Sequence, residues 1–464
     1  MAVKVDKIFS IIIEVGWLLI FILSPIFFAP FVYGVWQVGE YFLFQVLVEI
    51  ILFVWLAKII IIFFARRQIP SIQSPSTQFP VFPAVIFIVI LGLATIFSQS
   101  PTHSFWGYYF RKMGYLIWVH FFAFFLILFF NLKTQKQIAR IFYVIVLTVV
   151  AVVIYGFLQT FGFDIFPWNQ TPSLGNRIFS TLGQPNFLGS WLLLSAPVII
   201  WILIGGREQP AKKVFEQYIF RPLIISLFLL CIFILVLTQS RGAWVGFFFS
   251  FFFFTVVFSW LQKQKRLTAL LLIFFVLCCV LAIYLNLHPL TPRLGDSSLV
   301  VRLKTLSQLL AAGELRLIWW RDSWDLIKQK PILGYGPETQ HLNFIRYYTP
   351  EFAALETINS YPDRAHNDFL DMLLISGVLG LVSYLFLIIS TFWLGLKYVF
   401  KKTSSKIPVY SLRFMVLILL AGLVGYLISL QFSFHVIPTA VYFWGYLAVI
   451  FKIANPKSQI ANNI

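Results

Sequence analysis

Residues 221–260 read Arg221-Pro-Leu-Ile-Ile-Ser-Leu-Phe-Leu-Leu-Cys231-Ile-Phe-Ile-Leu-Val-Leu-Thr238-Gln239-Ser240-Arg241-Gly242-Ala243-Trp244-Val-Gly-Phe-Phe-Phe-Ser250-Phe-Phe-Phe-Phe-Thr-Val-Val-Phe-Ser-Trp260. A few polar residues separate two apolar runs, each close to the roughly 17–25 residues that carry a helix across a bilayer. Barrel strands would alternate in character over segments of roughly ten residues. These runs are apolar throughout, so this stretch is a hairpin of two membrane-spanning helices.

The rest of the chain repeats the pattern. Of its 464 residues, 60% are hydrophobic and 11% charged, and the mean hydropathy is +0.88. A soluble domain carries about 25% charged residues, so a soluble enzyme, a secreted disulfide scaffold and a disordered chain are all excluded. Candidate spans run near 8–28, 41–64, 80–97, 113–131, 139–160, 186–204, 222–238, 243–260, 267–286, 369–396, 411–430 and 434–452. The first lacks a small-residue cleavage site and reads as a span, not a signal peptide. The expected fold is an all-α polytopic membrane protein with about twelve transmembrane helices. Residues 1–464 form one integral membrane domain, and a large helical outer loop, 287–368, separates spans nine and ten. Cys231, Cys278 and Cys279 lie in apolar runs and report no redox compartment.

The net charge of +18 reflects topology and not nucleic acid, because Lys and Arg accumulate in cytoplasmic loops. With the N-terminus inside, Lys4, Lys7, Arg66, Arg67, Lys133, Lys136, Arg140, Arg207, Lys212, Lys213 and Arg221 are all cytoplasmic. So are the clusters at 263–266 and 397–413, and both termini. Short outer loops then hold only Arg111, Lys112, Arg177 and Arg241. A basic residue there works against topology, and snorkelling to lipid phosphate is the bland account. Arg241 is different: its hairpin is tight enough to pin the guanidinium at the outer face.

Chemistry outside the membrane must draw on 287–368. Leu317, Trp320, Trp324 and Ile327 recur at helical spacing with Arg321, Asp325 and Lys328 between them, the pattern of an amphipathic helix at the bundle mouth. Pro331 stops it, and Gly334-Tyr335-Gly336-Pro337 forms a turn. Arg316, one turn before Trp320, shares its docking face. The loop ends at Asp363-Arg364-Ala365-His366-Asn367-Asp368. Asn367 suits an N-cap, and Asp368 and Asp371 complement the helix dipole. His366 then sits at the membrane boundary among ionisable groups, where a neutral imidazole can exchange protons. His288 and His341 lack that setting; His103, His120 and His435 read as structural. No metal cage, cysteine cluster or P-loop is visible, so neither a metal nor another cofactor is expected. Arginines that grip a diphosphate in two-point fashion, beside a histidine that takes a hydroxyl proton, suit a different task.

At these residues the chain resembles the O-antigen ligase and O-antigen polymerase superfamily of bacterial membrane glycosyltransferases. The matching stretches are Arg177-Ile-Phe-Ser-Thr-Leu-Gly-Gln-Pro-Asn186, Ser240-Arg241-Gly242, and Arg316 with Trp320 and Pro331-Ile-Leu-Gly334-Tyr-Gly336-Pro. Ala365-His366-Asn367-Asp368-Phe369-Leu370, followed by Ser376-Gly377-Val-Leu-Gly380, completes the set, which covers roughly 100–395. The resemblance implies metal-independent, inverting transfer of a glycan from a polyprenyl-diphosphate carrier to a hydroxyl acceptor. The implied setting is the outer face of a bacterial cytoplasmic membrane. Arg241 and Arg316 would bind the diphosphate and His366 would act as base. Arg177, Arg111, Asn186 and Asn367 would assist in substrate binding. The favoured acceptor is lipid A core or a similar surface glycolipid, served by aromatic residues of the outer loop (Trp319, Trp320, Trp324, Tyr347, Tyr348, Tyr361). A lipid-linked repeat (polymerase) or protein serine (O-oligosaccharyltransferase) is the alternative. A transporter or flippase is the rival from another class. It would need polar groups at depth, whereas charges within spans are sparse (Glu14, Glu49 and Lys58). A purely structural role would leave the outer-loop arginines unexplained.

Overall fold

The computed structural model describes residues 2–31, 37–66, 81–164, 177–205, 219–287, 316–348, 362–401, 411–455 and 460. The expected outer loop is described only in part: 288–315 and 349–361, with His288 and Tyr361, lie outside. The described residues fold as helices without a strand. In chain order these are α1 (Ala2–Ile26), α2 (Gln37–Arg66), α3 (Phe82–Ile96), α4 (Pro101–Trp106), α5 (Tyr115–Asn131), α6 (Gln135–Gln159) and α7 (Pro185–Gly205). They continue with α8 (Arg221–Leu237), α9 (Arg241–Leu261), α10 (Lys265–Leu287), α11 (316–329), α12 (Gln340–Phe344), α13 (Asp368–Val399), α14 (Leu412–Leu430) and α15 (Ile437–Ala454).

Each apolar segment read from the sequence falls on a helix. Among the described residues, eight helices (α1, α2, α6, α7, α9, α13, α14 and α15) are long and apolar enough to cross a bilayer, while α3, α5 and α8 are shorter apolar helices. A count of twelve crossings needs those three and α10 as well. Local signals set several boundaries. Thr134 and Gln137 close a capping box on α6, and the Ser411 side chain caps α14.

Helix α15 is the axis of the bundle, with almost every side chain buried. Phe125 and Phe87 pack on Trp444, and Phe21 and Trp191 on Tyr442, mostly edge-to-face. Helices α9 and α14 meet at Gly246 and Gly425, where a side chain on Gly246 would overlap the Gly425 carbonyl. Lipid provides no hydrophobic drive between helices, so such close backbone approach contributes through dispersion.

The span read near 369–396 is not one straight helix. Gly377 breaks α13 with φ 62° and ψ −165°, a region open essentially to glycine alone. The Pro331–Gly336 turn inserts at the break. Tyr335 N and Gly336 N donate to the Leu374 and Ile375 carbonyls at 2.8 and 3.1 Å, and Val378 N and Leu379 N donate to Pro331 and Ile332 at 2.8 and 3.4 Å. These bonds satisfy the backbone groups that the break frees. The segment after Gly377 runs about 33 Å at 1.5 Å per residue, enough to cross the bilayer alone. Residues 368–376 are left to pack on the turn and on α11.

The expected helix at 316–329 forms, but its buried face differs from the expected stripe. Trp319, Ser323, Leu326 and Ile327 face inward, while Leu317 and Trp324 are exposed. The helix carries apolar residues on two sides, and contact with Tyr335, Phe344, Leu370 and Leu374 selects one.

Candidate active site

The last span was expected to begin near 434, yet α15 starts at Ile437. Residues 431–436 form a connection whose two phenylalanines gather the candidate residues. At one end Gly242 packs on the Phe432 side chain, and the Arg316 guanidinium lies over the same ring at 5.8 Å while Nη2 approaches the Phe432 carbonyl at 3.4 Å. Arg177 donates through Nε to the Thr238 carbonyl at 2.9 Å and through Nη2 to Asn186 Oδ1 at 3.0 Å. These bonds hold it beside the hairpin that presents Arg241. Burial lowers the affinity of both Arg177 and Arg316 for their protons, and the charge of Arg241 lowers it further. Arg177, Arg241 and Arg316 therefore form a repelling trio, with Arg241 itself exposed.

At the other end, the Phe434 ring sits beneath Arg111 at 4.5 Å and Arg364 at 4.9 Å, with His366 at 5.4 Å, edge-on. Trp319, one turn along α11 from Arg316, lies 4.9 Å from the imidazole. Helix α11 thus links the arginine trio to His366.

His366 has φ +52°, and its flanks are pinned on every side. Arg111 Nε donates to Asp363 Oδ2 at 2.7 Å. Arg364 pairs with Glu338, both buried. Ala365 N donates to Asp371 Oδ1 at 2.9 Å, and Trp320 Nε1 to the Ala365 carbonyl at 3.1 Å. Asn367 caps α13, its Oδ1 accepting from Phe369 N and Leu370 N, while Nδ2 donates to the Gln431 carbonyl at 3.2 Å. The amides of Asn186 and Asn367 are thus engaged in holding Arg177 and the His366 turn.

Electrostatics follow from these contacts. Burial would raise the Asp363 carboxyl, but Arg111, His366 and Arg364 together hold it below its ordinary value. Arg364 is held protonated against its burial by Glu338 and three aspartates. Burial takes His366 down to about 4, with Arg111 and Arg316 adding to the drop and Asp363 opposing it. Its Nδ1 lies 3.2 Å from the Arg364 carbonyl. A carbonyl only accepts, so the neutral ring carries its proton on Nδ1 and its lone pair on Nε2.

Beside the loop lies a buried polar cluster. His435 bonds Tyr384 and Tyr426 at 3.0 and 2.8 Å, and Asp368 stands 3.5 Å away. In the sequence Phe432, Phe434 and Glu338 go unmarked, and Asp363 and Arg364 figure only as ionisable neighbours of His366. A short phenylalanine-bearing connection between the last two apolar runs was the available signal for the first pair. Among the remaining histidines, His103, His341 and Tyr108 form a separate ring cluster.

Residues 226–385 match the family model described as O-antigen ligase, which shows the superfamily resemblance read from the motifs. That stretch contains Arg241, Arg316, His366 and Asn367, and leaves Arg111, Arg177 and Asn186 outside. Over 234 residues the chain is also 25% identical to the general O-oligosaccharyltransferase of Acinetobacter baylyi (strain ATCC 33305 / BD413 / ADP1). The aligned part is 50% of this chain and 38% of that relative. The described helices make this a multi-pass membrane protein, and the two matches liken it to ligase-type, glycan-transferring enzymes.

Proposed function

We propose that the protein moves a glycan from a polyprenyl-diphosphate carrier to a hydroxyl acceptor at the outer face of a bacterial cytoplasmic membrane, with both termini cytoplasmic and twelve crossings. The observation that carries this reading is that Arg177 and Arg316 both feel the charge of Arg241, while α11 links Arg316 through Trp319 to His366. Like charges held together at an energetic cost suit a dianionic ligand.

In the reaction, Arg241 and Arg316 grip the diphosphate, and Arg177, oriented by Asn186, adds charge at the donor mouth. The acceptor hydroxyl attacks the anomeric carbon as the bond to the phosphate oxygen breaks on the opposite side, which inverts the configuration. His366 Nε2 takes the hydroxyl proton, and the diphosphate leaves with the bonding electrons, its charge met by the arginines. Asn367 holds the His366 turn, and Arg111 keeps Asp363 ionised beside it. The step uses no metal.

The acceptor we favour is lipid A core or a comparable surface glycolipid, with a polymerase of lipid-linked repeats as the alternative. Similarity to an O-oligosaccharyltransferase favours a second reading, in which the acceptor is a protein hydroxyl. Deletion in the native host followed by glycan gels separates the three. Loss of long chains from the surface lipid while polymerised carrier-linked glycan accumulates supports the ligase. A surface lipid with a single repeat identifies a polymerase, and loss of glycan from proteins alone identifies the third. Orientation is tested by labelling: Lys263→Cys should react from the cytoplasmic side and Arg346→Cys from the outer side.

A further inference from the structure

Glu49 is one of three charged span residues that the site leaves unused, and 52% of its side chain is exposed. Its depth follows from two polar levels on α2. Tyr41 lies beneath the Lys112 ammonium at 5.9 Å, and Lys58 meets Asp6 at 3.0 Å and Ser10 at 2.8 Å. At 1.5 Å per residue Glu49 stands roughly 12 Å from the first level and roughly 14 Å from the second. A carboxyl therefore faces outward close to the middle of the bilayer, where polar groups are costly unless partnered.

Its partners among the described residues are incomplete. Gln45 Nε2 donates to Glu49 Oε1 at 2.8 Å, and His120 Nε2 lies 3.2 Å from that same oxygen. No described residue donates to Oε2, and one Gln45 amide N–H is unused. Along the helix, Phe42, Val46, Glu49, Phe53, Leu56 and Ile60 are all exposed, at alternating steps of four and three. Within the broader exposed face, which also holds Ile50 and Ile59, that spacing suits the seam of a helix pair, with one polar position to set its register. The opposite seam, including Tyr41, Phe44, Val48 and Ile51, is already buried in the bundle.

We propose that this seam pairs with α2 of a second copy of the chain, around a two-fold axis normal to the membrane. Such an axis sets the two helices parallel, with equivalent residues at equal depth. Each Gln45 amide then donates to the Glu49 Oε2 of the other chain, and the two bonds are reciprocal. A foreign helix would need its own donor and acceptor at that same depth; a second copy has them by construction. The assembly is independent of the glycan-transfer reading.

The test is disulfide trapping of the full-length protein in native membranes, with Cys231, Cys278 and Cys279 replaced by alanine. Val46→Cys and Phe53→Cys should each give a cross-linked band at twice the monomer mass. Val382→Cys, equally exposed but on α13, should not. In liposomes, counting subunits by single-molecule photobleaching, Gln45→Leu with Glu49→Leu should weaken pairing about tenfold, while Glu49→Gln, which can still donate and accept, should keep it. A monomer at all densities, equal trapping at Val382, pairing unaffected in the double leucine variant, or seam cysteines captured by a different polypeptide would each overturn the proposal.

Discussion

Replacing Gly377 with alanine tests whether the break in α13 is what docks the Pro331–Gly336 turn and hence the His366 loop. The native φ of 62° and ψ of −165° cost a non-glycine residue about 1–3 kcal/mol. A Cβ there would also overlap the Ile332 carbonyl. Relieving that overlap displaces the turn and weakens the bonds from Val378 N to Pro331 and Leu379 N to Ile332, at about 0.5–1.5 kcal/mol each. The combined loss is roughly 2–6 kcal/mol, so exchange protection at the Tyr335 and Gly336 amides should fall by about one and a half to four decades. Hydrogen exchange read by mass spectrometry on the detergent-solubilised protein measures this, with Val378→Ala, an exposed neighbour, as control. Glycan transfer should fall too, because residues 368–376 carry the Asp371 carboxyl that holds Ala365. Unchanged protection at Tyr335 and Gly336 in Gly377→Ala would refute the reasoning.

His366→Ala should lower release of polyprenyl diphosphate from a lipid-linked glycan by about 10²–10⁴-fold, and added chelator should leave the wild-type rate intact; a fully active variant would remove His366 as the base. Because the folded-state value of His366 is about 4, against an ordinary value of about 6.5, the acid limb of kcat/KM should fall near pH 4. By linkage, the stability from keeping this ring neutral is complete above about pH 6.5 and is lost as pH falls towards 4, which acid-titrated unfolding would read; an acid limb at 6.5 would contradict both. Arg316→Lys should raise KM and lower kcat together in donor titrations, since an ammonium lacks the planar two-point grip. Glu338→Ala should destabilise the fold, by less than the ~3–5 kcal/mol of a fully unpaired buried charge because three aspartates still act on Arg364, and an unaltered unfolding midpoint would count against that pair.

The membrane fold was legible in the sequence because its cause is local. Runs such as 222–238 must hydrogen-bond their own backbone in lipid, so length and hydropathy place a helix without knowledge of its neighbours. The Asn367 cap was legible for the same reason: it satisfies donors two and three residues away. Candidate site residues were visible where they opposed a local rule, as Arg241 opposes topology. Their neighbours were not. Phe434 gathers Arg111, Arg364 and His366 from two distant segments, and Glu338 finds Arg364 across 26 positions. The buried face of α11 and the break at Gly377 likewise depended on which surfaces met, because two apolar sides of one helix are equivalent until packing favours one. Spacing along a chain reports forces between near neighbours. Contacts between distant segments exist only once the bundle closes, and they decided how the His366 ring is held and which nitrogen it presents.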